Sequence, residues 1–252
     1  MKIAESYVAK ILGLVLIVIV WHVFYSLDVF ESAFFPSPTS TFSSIIRLFT
    51  QRNLLTDITV TLLRVLMGFM LAVVIGITIG LIIGSSKLLS ITFEGIIDFF
   101  RSIPVVTLYP VFMLFFGFTN NTKIAMVFWA TFWVVTLNTA FGVKQSKKIR
   151  SEVATVYKTS KFQRFKWITF YEALPNIVVG IRVAISFALL AGIMSEMFMG
   201  SNYGIGQRIF EANVRFSATD LYALVLVTGT LGILLNKIFI LLEKKIIPWV
   251  DK

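Results

Sequence analysis

The chain has 252 residues, 57% of them hydrophobic and 14% charged, and a mean hydropathy of +0.87. A soluble domain of this length needs more polar surface to stay dispersed, so the composition points to a polytopic membrane protein. The formal net charge of +10 does not mark a nucleic-acid binder: Lys and Arg sit mostly beside apolar runs, where orientation and lipid headgroups account for them.

There are no cysteines and one histidine. Disulfides, thiolate metal sites, a Cys nucleophile and a multi-His centre within one chain are thereby removed, and no metal site is expected. His22, next to Trp21, reads as an interfacial or helix-packing residue.

In chain order, a short basic start (1–10) precedes an apolar run from Ile11 to Tyr25, the outline of a signal peptide. No small-x-small cleavage site follows, since Glu31-Ser32-Ala33 runs into two Phe, so a retained first span over 11–27 is expected. Lys2 and Lys10 place its start inside. Pro36 and Pro38 force extended backbone. Thr39-Ser40-Thr41 can then cap a short amphipathic helix carrying Phe42, Ile45, Ile46 and Phe49, too short to span and expected on the outer surface.

The second span is expected over 58–84. Gly76, Gly80 and Gly84 stand four apart on one face, together with Gly68, and read as a helix-packing seam. The third lies within 91–118. Glu94, Asp98 and Arg101 open it, with Asp98 and Arg101 spaced to pair. Pro104 and Pro110 mark it as broken or kinked. A tight outer turn at 120–123 leads to a fourth span over 124–143. The fifth and sixth follow over 177–198 and 221–242, separated by an outer segment containing Gly204 and Gly206. About six spans put both termini inside. The basic N-tail, Lys87, the loop over 144–175 and the tail with Lys244, Lys245 and Lys252 agree with that orientation. The expected layout is a first span with its outer segment (1–56) and a core (57–252), with no soluble domain appended.

Motifs of chemistry are missing. No G-x-x-x-x-G-K-[ST] phosphate loop, H-E-x-x-H or G-x-S-x-G occurs. Ionisable groups deep in the spans are few, chiefly Arg64, Arg182 and Glu196. A proton-coupled carrier needs more titratable groups near the midplane, and a channel needs charge rings or a filter. A translocation protein energised from elsewhere fits this poverty, and no catalysis is expected in this chain. The alternatives are a secondary carrier or another polytopic membrane protein not coupled to an ATPase.

The loop over 144–175 carries Lys144, Lys147, Lys148, Arg150, Lys158, Lys161, Arg164 and Lys166 against Glu152 and Glu172. Residues 147–157 can form a helix with Val153, Val156 and Tyr157 on one face. Thr159-Ser160 interrupts it. Ser160 and Gln163 have the spacing of a capping box, so a second helix is predicted from there, carrying Phe162, Phe165 and Ile168. Pro175 is expected in the first turn of the following helix. Two readings stand for this two-helix corner: a knob that docks into a partner's groove, or helices lying on anionic lipid.

Several blocks stand in order along the chain: FPSP at 35–38, TLLRVLMGF at 61–69, GITIGLIIGSS at 76–86, RSIPVVTLYPVFMLFFGF at 101–118, ALPNIVVGIRVAISFALLAGIMSEM at 173–197 and GIGQRI at 204–209. On these the chain, from about Phe35 onward, resembles an inner-membrane permease subunit of a binding-protein-dependent ABC importer, of the nitrate/sulfonate/taurine-type group. The resemblance implies the type I importer permease fold in the cell inner membrane and a small solute as cargo: a sulfonate, a nitrate-like anion or a vitamin precursor. It implies a pair of cytoplasmic subunits that bind the ATP, a periplasmic or lipid-anchored solute-binding protein, a second permease copy and surrounding lipid. It also implies that the loop forms coupling helices, through a motif E-A-A-x-x-x-G followed by I-x-L-P. Glu152, Ala154 and Ile168 match it, while Val153, Lys158, Phe170 and Tyr171 depart from it. The coupling residues so implied are Glu152, Ala154, Val156, Tyr157, Lys158, Ser160, Phe162, Phe165 and Ile168. Because Lys resists the positive φ that Gly allows, Thr159 and Ser160 are expected to supply the turn. Arg101, Pro104, Arg182 and Glu196 fall in blocks typical of the family and are candidates for the translocation pathway. The transmembrane coupling subunits of energy-coupling-factor importers carry Ala-Arg-Gly signatures in cytoplasmic helices, and this chain has none.

Overall fold

A computed structural model describes residues 2–145, 154 and 156–249, and every described regular element is helical. Helix α1 spans Lys2–Ser26, α2 Pro38–Gln51, α3 Leu54–Ser85 and α4 Lys87–Ser102. A 3-10 turn at Val105–Leu108 leads into α5 (Tyr109–Phe116), followed by α6 (Asn120–Lys144). Helix α7 (Lys161–Arg164) passes through a π turn (Phe165–Thr169) into α8 (Phe170–Met199), with α9 (Ile205–Val214) and α10 (Ala218–Ile246) behind.

Among the described residues four stretches are long and apolar enough to cross a membrane: α3, α6, α10 and the run Phe162–Met199. The α4–α5 pair bends by 86° at the break before Val105. Ile103 and Pro104 take extended φ/ψ there, as expected of a residue before proline and of the proline itself. Helix α1 contributes an apolar stretch over Leu12–Ser26 among the described residues.

The core is a glycine-lined seam. A Cβ at Gly68 would lie 2.7 Å from Val127 Cβ, at Gly76 3.1 Å from Val135 Cβ, at Gly80 2.6 Å from Thr139 Cβ and at Gly84 2.7 Å from Val143 Cβ. Facing residues rise together along both helices, so α3 and α6 run parallel. Between them the chain must return from the Ser85 end to the Asn120 end, about 37 Å by the rise of α6. The bent α4–α5 pair is therefore a complete, broken crossing and not a re-entrant loop. Helix α8 runs antiparallel to α6: Gly142 meets Ala173 and Asn176, and Gly180 meets Asn138. Gly192 closes the triangle against Val65. In lipid the hydrophobic effect does not drive helices together, so close backbone approach at small residues carries the association. That is also why Leu114, Phe115 and Val74 can stay exposed.

Three local expectations change. Ser37 caps α2, its hydroxyl accepting from the Ser40 N–H at 3.1 Å, with Pro38 in the first turn where its fixed φ suits a helix start. That helix buries Pro38, Thr41, Ser44 and Leu48 and leaves Phe42, Ile46 and Phe49 outward. Its polar face is drawn in because Ser44 and Arg47 donate to Asp220 of α10, Arg47 at 2.5 Å. Residues 120–123 are the first turn of α6; the chain reverses before it, at Gly117 with φ +67°. Pro175 lies inside α8, not at a helix start. The α-helix is already running when it reaches Pro175, since the break before this span falls at Lys158–Ser160, and packed neighbours hold a proline-containing membrane helix continuous.

Candidate functional site

Beside the α4–α5 break lies an open-sided cavity of about 730 Å³. One wall is the break itself, with Arg101, Ser102, Ile103 and Pro104. The second is α6, with Trp129, Trp133 and Asn138, and the third is α8, with Val183, Phe187, Leu190 and Met194. Phe100 stacks on Trp133 at 5.1 Å between centroids, and Trp129 meets both rings edge-on. Among the described residues the indole nitrogens of Trp129 and Trp133 are buried without a hydrogen-bond partner. Arg101 pairs with Asp98 at 3.2 Å, as its spacing predicts, and both side chains are half exposed. An aromatic-walled cavity of this size suits a small solute.

Of the four pathway candidates, Arg101 and Pro104 line this cavity and Arg182 and Glu196 do not. Arg182 is ion-paired to Glu243, tying α8 to the end of α10. Glu196 is fully buried at the opposite end of α8. Its carboxylate accepts from Arg64 at 2.7 Å, from Thr61 at 2.8 Å and from the Gly206 N–H at 3.0 Å. Arg64 also donates to Asn120, Ser201 and the Tyr203 carbonyl. A Cβ at Gly204 would sit 2.5 Å from the Glu196 carboxyl carbon, and one at Gly206 2.2 Å from the Ile193 carbonyl. Gly204 adopts φ +136°. The block GIGQRI is thus a backbone laid directly on a buried ion pair. Asp57 anchors the same segment, accepting from the Gly204 N–H at 2.8 Å and from Arg208 at 2.7 Å. The hydrogen bond from Arg208 to Asp57 holds that guanidinium above its usual range, so it stays charged.

At the far end of the molecule is the corner. Glu152, Val153 and most of the predicted first helix (147–157) lie outside the described residues. Ala154 is buried, and its carbonyl accepts from the Thr159 N–H at 3.1 Å and the Thr159 hydroxyl at 2.8 Å. Lys158 takes φ +50°. A left-handed residue followed by a bond back to the carbonyl five residues before is the Schellman arrangement, with Lys158 at the place where Gly is usual. The turn is therefore made at Lys158 itself, against expectation, and Thr159 secures it. The capping box forms: Ser160 N–H donates to Gln163 Oε1 at 3.0 Å, and Gln163 N–H to Ser160 Oγ at 3.2 Å. The helix begun there is not a separate short one. It continues through the π turn into α8, as the 38-residue run Phe162–Met199. Val156, Tyr157 and Phe162 are 81%, 76% and 72% exposed, while Phe165 and Ile168 are half-buried.

The signal that sequence reasoning lacked was partnership. Arg64 and Glu196 were visible as isolated charges, but Asp57, Asn120 and Lys123 join the same end only through the fold.

Compared with known proteins, residues 72–252 match the model of the family described as binding-protein-dependent transport system inner membrane component. The chain is 30% identical over 234 residues to SsuC of Bacillus subtilis, a protein named for aliphatic sulfonates transport, covering 92% of this chain and 84% of that one. It is 29% identical over 245 residues to the nitrate import permease protein NrtB of a Synechocystis species, covering 94% and 88%. Its fold matches a chain in the inward-facing MetNI methionine ABC transporter with a TM-score of 0.61, at 17% identity, over 77% of this chain and 94% of that one. The ATP that drives such importers is bound by a partner ATPase subunit. The chain belongs to the family of binding-protein-dependent transport system inner membrane components, as a multi-pass permease subunit of an ABC importer and not an enzyme.

Proposed function

We propose that this permease imports a small oxyanion, a sulfonate or nitrate-like species, handed over by an external binding protein. A vitamin precursor with an anionic group is the second cargo compatible with the cavity. Residues 144–175 face the cytoplasm in this reading. Ala154, Val156, Tyr157, Lys158, Ser160, Phe162, Phe165 and Ile168, with Glu152, form the element that the ATPase subunit grips. Residues 57–252 are the permease core, with 1–56 packed on its flank. Two permease copies face each other across the pathway, each offering one corner to one of two ATPase subunits.

One observation carries this reading. The helix that begins at the exposed corner is the helix that forms one cavity wall. Phe162 stands on its first turn, and Val183, Phe187, Leu190 and Met194 line the cavity further along it. A rigid helix transmits a displacement at one end to the other, so closure of the ATPase pair at the corner moves that wall. Arg101 and Pro104 sit on the opposite wall, where the broken crossing lets the backbone yield. The membrane-surface alternative for the corner leaves Tyr157 and Phe162 in headgroups and gives ATP no route to the cavity.

The test is Phe162→Asp, assayed for co-purification of the cognate ATPase subunit and for uptake in proteoliposomes. Association is expected to fall at least about tenfold, since an exposed aromatic anchor is replaced by a charge, with membrane insertion intact. Unchanged association and uptake would sink the docking assignment.

A further inference from the structure

A second pocket, of about 550 Å³, opens at the opposite end from the corner, against the start of α6. Its lining includes Arg64, Asn120, Lys123, Ser201, Asn202 and Tyr203, and it contains two cations and no acid. The two cations differ in how they are used. Arg64 is spent on Glu196, Asn120, Ser201 and the Tyr203 carbonyl. Lys123 is only 4% exposed, and among the described residues its ammonium donates to the Gly200 carbonyl alone, at 3.1 Å. An ammonium has three protons, so two remain for a ligand. Glu196 lies close enough to attract Lys123, but its oxygens already serve Thr61, Arg64 and the Gly206 N–H. The first turn of α6 adds to the same field. Thr119, at its N-cap, makes no capping bond and turns its hydroxyl back to the Phe116 carbonyl, leaving the helix's first N–H groups uncapped by it. A buried cation is costly without an opposing charge, and among the described residues none contacts this one.

We propose that this pocket binds a small oxyanion, with Lys123 as the charge partner and Asn202 and the start of α6 as further donors. It is a receiving site, separate from the aromatic cavity, where cargo leaves the binding protein before the crossing opens. The proposal rests on the oxyanion reading of the cargo and on this end facing outward.

The test uses the permease–ATPase complex in nanodiscs of zwitterionic lipid, with melting followed at constant ionic strength against chloride. Methanesulfonate and nitrate are the probes, and dimethyl sulfone is the neutral control. One of the two anions is expected to raise the melting temperature by about 2–4 °C at saturation, as a ligand bound only to the folded state does. The neutral control is expected to have no effect. Lys123→Gln is expected to abolish the shift and Lys123→Arg to keep it. Asn202→Asp, which puts a carboxylate in the pocket without touching the buried lysine, is expected to abolish it as well. No shift in the wild-type complex with either anion, or a shift that survives both Lys123→Gln and Asn202→Asp, would overturn the site. Co-purification of the ATPase in the same samples reads the coupling assignment separately, so either can fail alone.

Discussion

Glu196 shows what a single residue does here. A carboxylate with zero exposure survives because Arg64 and Thr61 of α3 and a backbone N–H of α9 meet it, and two glycines let the α9 segment lie on top. Replacing it by Gln leaves Arg64 buried without its counter-charge, which costs about 3–5 kcal/mol. Glu196→Gln should therefore melt well below the wild-type protein in detergent, and the pair Glu196→Gln with Arg64→Met should recover part of the loss. An unchanged melting temperature for the single variant would remove the ion pair as an anchor. The sequence made Glu196 conspicuous as a charge in an apolar run, but its partner stands 132 residues earlier, and no periodicity connects them. Lys158 is the opposite case. An interruption of the helix near 158–160 was legible, while the turn at Lys158 itself was not, because the bonds from Thr159 to Ala154 that hold the turn are what outweigh the resistance of Lys to φ +50°.

Among the elements, spans and breaks were legible because hydropathy and proline report directly on backbone chemistry. The glycine seam was visible in outline from its four-residue spacing, and its partner was not. That partner is α6, running parallel, and the seam holds because each glycine admits an α6 backbone or Cβ. Gly80→Leu would drive a side chain into Thr139 and the Thr136 carbonyl, 2.6 and 2.7 Å from the Cβ position. Neither can yield without moving α6, so the variant should lose at least about 1–3 kcal/mol, read as a lowered melting temperature and reduced yield of folded protein. Gly95, with nothing within 4 Å of its Cβ position, is the control that should tolerate the same change. The continuity of the helix through Pro175 was hidden for a physical reason. Proline favours helix starts in water-soluble chains, and only packed neighbours in a membrane make its interior position affordable.

For the whole molecule, the parallel seam and the broken crossing set the two ends apart. One end holds the buried ion pairs and the cation-lined pocket, and the other the exposed corner, with the aromatic cavity between them. The long helix Phe162–Met199 is the only described element that touches the corner, the cavity and the ion-pair end. Energy delivered at the corner thus has a physical route to the cavity wall. The chain has no cysteine of its own, so single cysteines report without background. The most direct measurement is cross-linking in membranes that contain the cognate ATPase subunit, from a cysteine at Val156 and, separately, from one at Asn120. A cross-link to the ATPase from position 156 and none from position 120 is the predicted result. A cross-link from position 120, or none from position 156, would contradict the corner as the place where ATP energy enters.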